Sequence, residues 1–337
     1  MRPNGPPLRA GYLENIEQLQ RRLNRPRAGE KTHLWIPAGM SGGHTRALPA
    51  GVEVATLPSP ESGPNRLGPG EFVVAGFARG RFPELLERMD DVRVVQAISA
   101  GVDDLVGRLP ESVILCDGAG IHDVPVAEWV VMAILASIRN LPQHVLDQQR
   151  AHWRQPGRAD TMGDLEGATV LIVGYGSIGR AVEARLAPFG ARFLRVGRHA
   201  REGVQSVADL PAMLPQADIV VILLPLTDET RGFVDARLLS QMRSGALLVN
   251  PSRGAIAETD ALADAVGSGR IRAALDVTDP EPLPDGHRLW SMKGVLITPH
   301  IGGWVTRVYE RAWNLVEAQL QRYLDGEPLL NVVSHGY

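Results

Sequence analysis

The chain has 337 residues, of which 44% are hydrophobic and 22% are charged, and at roughly 100–200 residues per domain this length predicts two globular domains. A formal net charge of −3 disfavours a general nucleic-acid-binding protein, because such a protein usually carries a strongly basic surface. The single cysteine, Cys116, excludes an internal disulfide and a cysteine-based metal site. We expect Cys116 to fill a core, and we predict no metal.

The N-terminal part of the chain is an extension rich in proline and arginine, with one predicted helix at Leu13–Leu23. Its first ten residues contain no apolar segment, so we expect no secretory signal and a cytoplasmic location. The longest apolar run, Val124–Ile138, is interrupted by polar residues and is shorter than the roughly 20 residues that cross a bilayer. We therefore predict no membrane partner.

Short runs rich in β-branched residues follow the extension, with turn residues between them. A helix is predicted at Pro83–Met89, between the third and the fourth run. Strands that alternate with helices predict a parallel sheet that is covered on both faces. The predicted strands of this first series are His33–Ile36, Val52–Leu57, Phe72–Phe77, Val92–Ser99 and Val113–Cys116.

A second series of predicted strands begins near Thr169. It contains six strands, the number found in a doubly wound nucleotide-binding domain. Long helices predicted at Pro125–Arg139 and Trp304–Leu324 flank this series. We predict a dinucleotide-binding domain, residues 125–305, inserted into a smaller α/β domain made of residues 1–124 and 306–337. The predicted strands are Val170–Val173, Arg192–Val196, Ile219–Leu224, Ala246–Asn250, Ala273–Val277 and Val295–Thr298, with helices at Arg180–Leu186 and Asp260–Gly267.

A glycine-rich turn follows the first strand of the second series, where residues 170–179 read V-L-I-V-G-Y-G-S-I-G. Gly174 permits a tight turn, Gly176 lets the backbone approach a pyrophosphate, and Gly179 permits close packing of helix and strand. The helix that follows presents N–H groups and the positive end of its dipole to the phosphates. We therefore predict a Rossmann dinucleotide site that also includes Ser177 and Ile178.

The residues after the second strand of this series indicate which dinucleotide binds. NAD sites carry Asp or Glu about 20 residues beyond the glycines, where the acid accepts hydrogen bonds from the ribose hydroxyls. This chain has Gly197 there, followed by Arg198, His199 and Arg201. Guanidinium groups can bind a 2′-phosphate bidentately, and no carboxylate at this strand end repels it. We predict that NADP(H) is preferred and that NAD(H) is possible.

Three later strands end in polar residues. The carboxyl ends of parallel strands border one crevice, so Arg253, Glu281 and His300 can converge beside a nicotinamide. These residue types suit reversible hydride transfer to a 2-keto acid. The three segments are Asn250-Pro251-Ser252-Arg253-Gly254, Asp276-Val277-Thr278-Asp279-Pro280-Glu281-Pro282 and Thr298-Pro299-His300-Ile301-Gly302-Gly303.

Together these motifs resemble the D-isomer-specific 2-hydroxyacid dehydrogenase family, and within it the glyoxylate/hydroxypyruvate reductases. The resemblance extends from about Val92 to Val332. It implies a Rossmann cofactor domain inserted in a flavodoxin-like substrate domain, and a homodimer in which the arm Leu141–Thr161 wraps the second subunit. The motifs that carry it are Ser99–Asp103, Val126–Glu128, the glycine loop, Pro225–Thr227, Arg253–Gly254, Asp276–Glu281 and Pro299–Gly302.

The resemblance implies a role for each polar residue at the strand ends. Arg253 would bind the substrate carboxylate and polarise its carbonyl. His300 would protonate the carbonyl oxygen during reduction, while Glu281 would orient the imidazole and favour its protonated form. Asp276 would contact the nicotinamide carboxamide. The other implied contacts are Gly76, Ala100 and Gly101 for the substrate, and Leu224, Pro225, Thr230, Pro251, Ser252 and Gly302 for the cofactor.

Two further titratable residues are interpreted as structural: we expect His122 to pack a loop, and Glu128 to cap a helix and to hydrogen-bond between the domains. The chain departs from many relatives at Leu224, where they carry His or Cys, so that contact to the cofactor would be absent or apolar.

Two alternatives stay open: a formate or phosphite dehydrogenase on the same scaffold, and a dinucleotide-sensing protein that resembles the transcriptional corepressors of this fold.

Overall fold

The computed structural model describes residues 31–41, 48–61, 63–77, 79–155, 157 and 162–333. The predicted helix Leu13–Leu23 and the extension around it lie outside these residues. The described chain forms two compact units, the first made of the residues up to Ile121 with those from Thr306 onward, and the second of His122–Val305. The second unit thus begins three residues before the predicted boundary.

The described residues contain fourteen strands, eight α-helices and several short 3₁₀ helices. The strands are β1 (Thr32–Ile36), β2 (Val52–Thr56), β3 (Gly68–Pro69), β4 (Phe72–Ala75), β5 (Met89–Asp90), β6 (Val94–Ala97), β7 (Ile114–Cys116), β8 (Thr169–Val173), β9 (Arg192–Gly197), β10 (Gln205–Ser206), β11 (Ile219–Ile222), β12 (Leu247–Asn250), β13 (Arg272–Leu275) and β14 (Val295–Ile297). The α-helices are α1 (Phe82–Leu86), α2 (Asp123–Ile138), α3 (Leu141–Gln149), α4 (Ser177–Leu186), α5 (Leu210–Met213), α6 (Ala236–Gln241), α7 (Thr259–Gly267) and α8 (Val308–Asp325). The 3₁₀ helices are Ala38–Met40, Ala187–Phe189, Val207–Asp209, Leu214–Gln216, Gly254–Ile256 and Arg288–Ser291.

The first unit is built on a five-stranded parallel sheet in the order β2-β1-β4-β6-β7. All residues of β4 and β6 are buried, as expected for parallel strands that are covered on both faces. The strand order changes direction between β1 and β4, and ligands bind at such switch points in open α/β sheets. Gly76 follows β4 at this point, and a Cβ on it would lie 3.1 Å from Cβ of Pro37.

Two buried glutamines attach the C-terminal part of the chain to this sheet. Nε2 of Gln319, on α8, donates to Oε1 of Gln96 on β6 at 2.7 Å and to the carbonyl of Leu330 at 2.8 Å. Gln96 Nε2 in turn donates to the carbonyl of Asp117 at 2.7 Å. A buried polar group without a partner costs about 1–3 kcal/mol. These bonds therefore favour the return of the C-terminal helix to the first unit.

The second unit carries a seven-stranded parallel sheet in the order β10-β9-β8-β11-β12-β13-β14. This order is that of the Rossmann fold, with its switch point between β8 and β11. The structure confirms the predicted α/β class and the six predicted strands of this unit. It adds β10, whose two polar residues, Gln205 and Ser206, carry no apolar signal in the sequence.

Several predicted boundaries are wrong by a few residues. Helix α8 begins at Val308 and not at Trp304, because Trp304 N donates to the carbonyl of Ile301 in a turn. Helix α1 ends at Leu86, since Met89 joins strand β5. Among the described residues, no single helix is long and apolar enough to cross a bilayer. Helices α2 and α3 meet those criteria only when taken together, and they are bent by 68°.

Cys116 lies at the end of β7 and is fully buried. Burial raises the pKa of its thiol well above the ordinary value, which disfavours the reactive thiolate. The structure thus supports the interpretation of Cys116 as a core residue.

Candidate active site

The glycine loop lies at the switch point of the second sheet, between β8 and α4. Gly174 has a φ of +98°, and a Cβ on it would lie 2.5 Å from the carbonyl oxygen of Leu223, so no other residue fits there. A Cβ on Gly179 would lie 3.2 Å from the carbonyl oxygen of Gly174. Gly176 precedes α4, and among the described residues no atom beyond its chain neighbours lies within 4 Å of a Cβ placed on it.

The N-terminus of α4 fits a pyrophosphate. No side chain caps it, and its first turn contains no acidic residue, so its N–H groups and dipole can act on an anion. Ser177 Oγ donates to Oδ1 of Asp123 at 3.0 Å, and Ile178 packs into the apolar cluster beneath the sheet. Ser177 and Ile178 would therefore bind the cofactor through their backbone N–H groups and not through their side chains.

The three basic residues after β9 have different surroundings. Arg198 Nη2 lies 2.8 Å from Oε2 of Glu229, a partner 31 residues away that the sequence pattern does not indicate. Arg201 donates a hydrogen bond to the carbonyl oxygen of Tyr175, inside the glycine loop. His199 is exposed. Arg198 thus carries an exposed ion pair, whereas Arg201 binds the loop backbone.

The loop after β11 is closed by Thr230. Its Oγ1 donates to the carbonyl oxygen of Pro225 at 2.6 Å and accepts a hydrogen bond from Thr227 N at 2.8 Å. Leu224 is half-buried and packs against the apolar core of the unit. Thr230 and Leu224 therefore have structural contacts of their own in addition to the predicted cofactor contact.

A buried asparagine shapes the loop that carries Arg253. Asn250 ends β12, donates Nδ2 to the carbonyl of Arg253 at 3.0 Å and accepts a hydrogen bond from Ser252 N at 3.1 Å. Ser252 Oγ donates to the carbonyl of Ile222 at 2.6 Å, while Pro251 is buried. Arg253 itself has extended backbone, with φ of −140°, and its Nη1 donates to the carbonyl of Ser252 at 2.9 Å.

The next residue, Gly254, brings the loops after β12 and β13 into contact. A Cβ on Gly254 would lie only 1.9 Å from the carbonyl oxygen of Thr278 and 2.0 Å from its carbonyl carbon. Only glycine permits this approach of two backbones. The contact explains the Arg-Gly pair of the sequence, since the glycine places the loop of Arg253 beside the loop of Glu281.

Asp276 organises the third loop. The residue is 2% exposed. Its Oδ1 accepts hydrogen bonds from Thr298 Oγ1 at 2.6 Å and Ile301 N at 2.9 Å, and its Oδ2 accepts one from Gly302 N at 2.7 Å. Trp129, on α2, donates Nε1 to Thr298 Oγ1 at 2.9 Å. The structure thus shows that Asp276 and Gly302 are hydrogen-bonded to each other. It also shows that Thr298 and Trp129 hold Asp276 in place, a role that the sequence motifs do not predict.

His300 and Glu281 form a direct pair. Nδ1 of His300 lies 2.6 Å from Oε1 of Glu281, and the two side chains are 44% and 43% exposed. With Nδ1 bonded to the carboxylate, Nε2 is the ring nitrogen that can face a substrate. His300 also has a φ of +53°, a conformation that costs free energy for a non-glycine residue and is typical of functional sites. The backbone N–H of His300 donates to the carbonyl of Asp276 at 2.7 Å, and this hydrogen bond stabilises the left-handed conformation.

Two of the predicted substrate residues of the first unit, Ala100 and Gly101, lie on a loop that side-chain hydrogen bonds hold in place, whereas Gly76 follows β4. Ser99 Oγ and Arg79 Nη2 both donate to the carbonyl oxygen of Gly101, at 2.8 and 2.9 Å. Arg79 is buried and also lies 2.7 Å from Oδ1 of Asp104. The backbone around Ala100 is therefore anchored from two sides. The sequence offered no signal for Arg79, because arginine is abundant in this chain.

Of the two residues interpreted as structural, His122 is buried, and its Nδ1 would lie 2.8 Å from a Cβ on Gly303, in agreement with a packing role. The capping role predicted for Glu128 is wrong. The acid in the first turn of α2 is Asp123, whereas Glu128 is exposed and lies 3.9 Å from Arg185 on α4.

The second unit combines a Rossmann sheet, an uncapped N-terminus of α4 and polar residues at the strand ends. This combination is typical of an oxidoreductase that uses a nicotinamide dinucleotide. Residues 131–302 match the family model described as D-isomer specific 2-hydroxyacid dehydrogenase, NAD binding domain. The chain therefore belongs to the D-isomer-specific 2-hydroxyacid dehydrogenase family, whose members are NAD(P)-dependent oxidoreductases.

Relatives in this family differ in substrate. The chain is 34% identical over 258 residues to a human glyoxylate reductase/hydroxypyruvate reductase, which covers 71% of this chain and 76% of the relative. It is also 34% identical over 254 residues to a formate dehydrogenase of Arabidopsis thaliana, covering 72% and 66%. A solved NADPH-dependent glyoxylate/hydroxypyruvate reductase from Sinorhizobium meliloti, in complex with NADP and sulfate, is 28% identical, with a TM-score of 0.78 and coverage of 91% and 100%.

Proposed function

We propose that the chain reduces short 2-keto acids, glyoxylate or hydroxypyruvate, to D-2-hydroxy acids with NADPH. The observation that carries the proposal is the His300–Glu281 pair at 2.6 Å, which prepares an imidazole as proton donor at the end of β14. The glyoxylate/hydroxypyruvate reductases among the relatives and the solved structures support this substrate class.

The residues of the second unit would hold the dinucleotide and the substrate in distinct ways. The N–H groups at the start of α4 bind the pyrophosphate, and Arg198 pairs with the 2′-phosphate. When bound, the nicotinamide supplies the hydride that reduces the substrate carbonyl. Arg253 binds the substrate carboxylate through two N–H groups, which orients the carbonyl and draws electron density toward its oxygen.

His300 then donates a proton from Nε2 to the carbonyl oxygen as negative charge develops there. Glu281 keeps the Nδ1–H bond throughout, so its carboxylate stabilises the protonated ring and fixes its orientation. In the reverse direction the same nitrogen accepts the proton of the hydroxyl. Because His300 is 44% exposed, solvent can restore its proton after each turnover.

In the first unit, we propose Gly76, Ala100 and Gly101 as further substrate contacts. Backbone N–H groups near the carboxyl end of β6 can bind a carboxylate without a charged side chain. The hydrogen bonds from Ser99 and Arg79 to the Gly101 carbonyl hold this loop in one conformation, which favours binding because less ordering is needed.

A panel of substrates tests the proposed function. Glyoxylate, hydroxypyruvate, pyruvate and bulkier 2-keto acids are assayed by nicotinamide absorbance with NADPH and with NADH. Formate and phosphite are assayed in the oxidative direction, because formate dehydrogenases are among the relatives. We expect the highest kcat/KM for glyoxylate or hydroxypyruvate with NADPH. Faster oxidation of formate or phosphite would replace the proposal, and dinucleotide binding without turnover of any acid would favour a sensing role.

We also propose a homodimer that uses the arm Leu141–Thr161, of which residues 156 and 158–161 lie outside the described part. Leu141, Val145, Leu146 and Trp153 are exposed there, Trp153 by 84%. An apolar patch of this kind is typical of a protein interface.

An ion pair stabilises the conformation of the arm: Arg154 donates hydrogen bonds to the carboxylate of Asp147 at 2.6 and 2.9 Å. The hydrogen bonds from Arg154 lower the pKa of Asp147 to about 2, so the pair persists from neutral pH down to that pH.

The arm predicts a specific effect of charge. Leu146→Asp places a carboxylate in the apolar patch, and we expect it to convert the dimer into a monomer, measured by analytical ultracentrifugation. Gln148→Asp, which adds the same charge at another exposed position of α3, is the matched control and should remain dimeric. A monomeric wild type, or a Leu146→Asp variant that dimerises as tightly as the control, would contradict this use of the arm.

A further inference from the structure

An exposed ion pair lies at the carboxyl ends of two strands that flank the glycine loop. Arg198 follows β9 and Glu229 lies in the loop after β11; their side chains are 53% and 72% exposed. Strands β9 and β11 are the two neighbours of β8, which leads into the glycine loop. The pair therefore joins two loops that lie on either side of β8, the strand that leads into the glycine loop.

The second guanidinium near this point is held by the backbone. Arg201 donates to the carbonyl oxygen of Tyr175, and its Nη1 would lie 3.1 Å from a Cβ on Gly197. By contrast, Arg198 is paired with an exposed carboxylate, and such surface pairs contribute only about 0–1 kcal/mol, so they open readily. Arg198 is thus the guanidinium whose acidic partner an incoming phosphate can displace.

We infer that Glu229 sets the choice between NADP(H) and NAD(H), an inference that rests on the proposed dinucleotide site. A 2′-phosphate must compete with the Glu229 carboxylate for Arg198, and the two anions repel each other. A free 2′-hydroxyl can instead donate a hydrogen bond to this carboxylate. Glu229 therefore supplies, from the loop after β11, the acid that the end of β9 lacks.

Direct binding measurements test this role. NADP⁺ and NAD⁺ are titrated by calorimetry into the full-length wild type, Glu229→Gln and Asp228→Asn. Asp228 is the adjacent exposed acid, so its variant loses the same charge one residue away. We expect Glu229→Gln to tighten NADP⁺ by about threefold to tenfold and to leave NAD⁺ unchanged or weaker, with a smaller effect at high salt. Asp228→Asn should change the ratio of the two Kd values by less than about twofold.

The role of Arg198 is tested by a double-mutant cycle with Arg198→Gln. If Glu229 acts by occupying Arg198, Glu229→Gln tightens NADP⁺ less once Arg198 is absent. Equal tightening in both backgrounds would overturn the competition, as would an unchanged Kd ratio in Glu229→Gln. If both dinucleotides bind the wild type but the ratio does not change, only this inference fails. If neither binds, the proposed function fails with it.

Discussion

Replacing His300 by Asn is expected to lower kcat for 2-keto acid reduction by about 10²- to 10⁴-fold, the usual contribution of a positioned proton donor. Asn is the informative substitution because it tolerates the left-handed backbone, and His300 has a φ of +53°. Alanine at this position would combine the loss of the imidazole with backbone strain. The measurement is steady-state reduction of glyoxylate with NADPH and glyoxylate both saturating, which gives kcat.

The control for this variant is cofactor binding. The glycine loop and Arg198 are unchanged in His300→Asn, so the Kd for NADPH should stay within about threefold of wild type. Glu281→Gln keeps a side chain that can bond to Nδ1 but removes the negative charge, and we expect a smaller fall in kcat. Equal loss of NADPH binding and of turnover in His300→Asn would mean that the residue is structural.

Gly254→Ala is expected to have the largest effect on the integrity of the site. Its Cβ would lie 1.9 Å from the carbonyl oxygen of Thr278, far inside van der Waals contact, and this oxygen belongs to backbone that cannot rotate away. Forced overpacking of this kind costs about 1–3 kcal/mol or more. The loops of Arg253 and Glu281 would also separate, and a displacement near 1 Å can lower turnover about 10²-fold. Thermal unfolding and kcat/KM measure the two effects.

Gly80→Ala is the matched control. Among the described residues no atom beyond its chain neighbours lies within 4 Å of a Cβ on Gly80, and its backbone is not left-handed. We expect its unfolding free energy to stay within about 0.5 kcal/mol of wild type. A Gly254→Ala variant as stable and as active as Gly80→Ala would show that the loops after β12 and β13 can separate without loss of function.

The features that can be predicted without a structure are those encoded in consecutive residues. The apolar strand, the three glycines and the helix that starts at Ser177 lie within one short segment, so their spacing alone predicts the turn and its anion site. The strand series predicts the α/β class, since periodicity and turn residues are local properties. The same holds for the family, whose motifs are short and occur in order along the chain.

Contacts between distant side chains, by contrast, depend on the arrangement of the strands in the folded sheet. Glu229 pairs with Arg198, and Asp276 binds the loop of His300, because β9, β11, β13 and β14 occupy particular places in one sheet. Strand order and register bring these residues together, and neither is encoded in the pattern of a single segment. The sequence therefore predicts the kinds of chemistry at each strand end, while folding determines which groups are partnered and which remain open to a ligand.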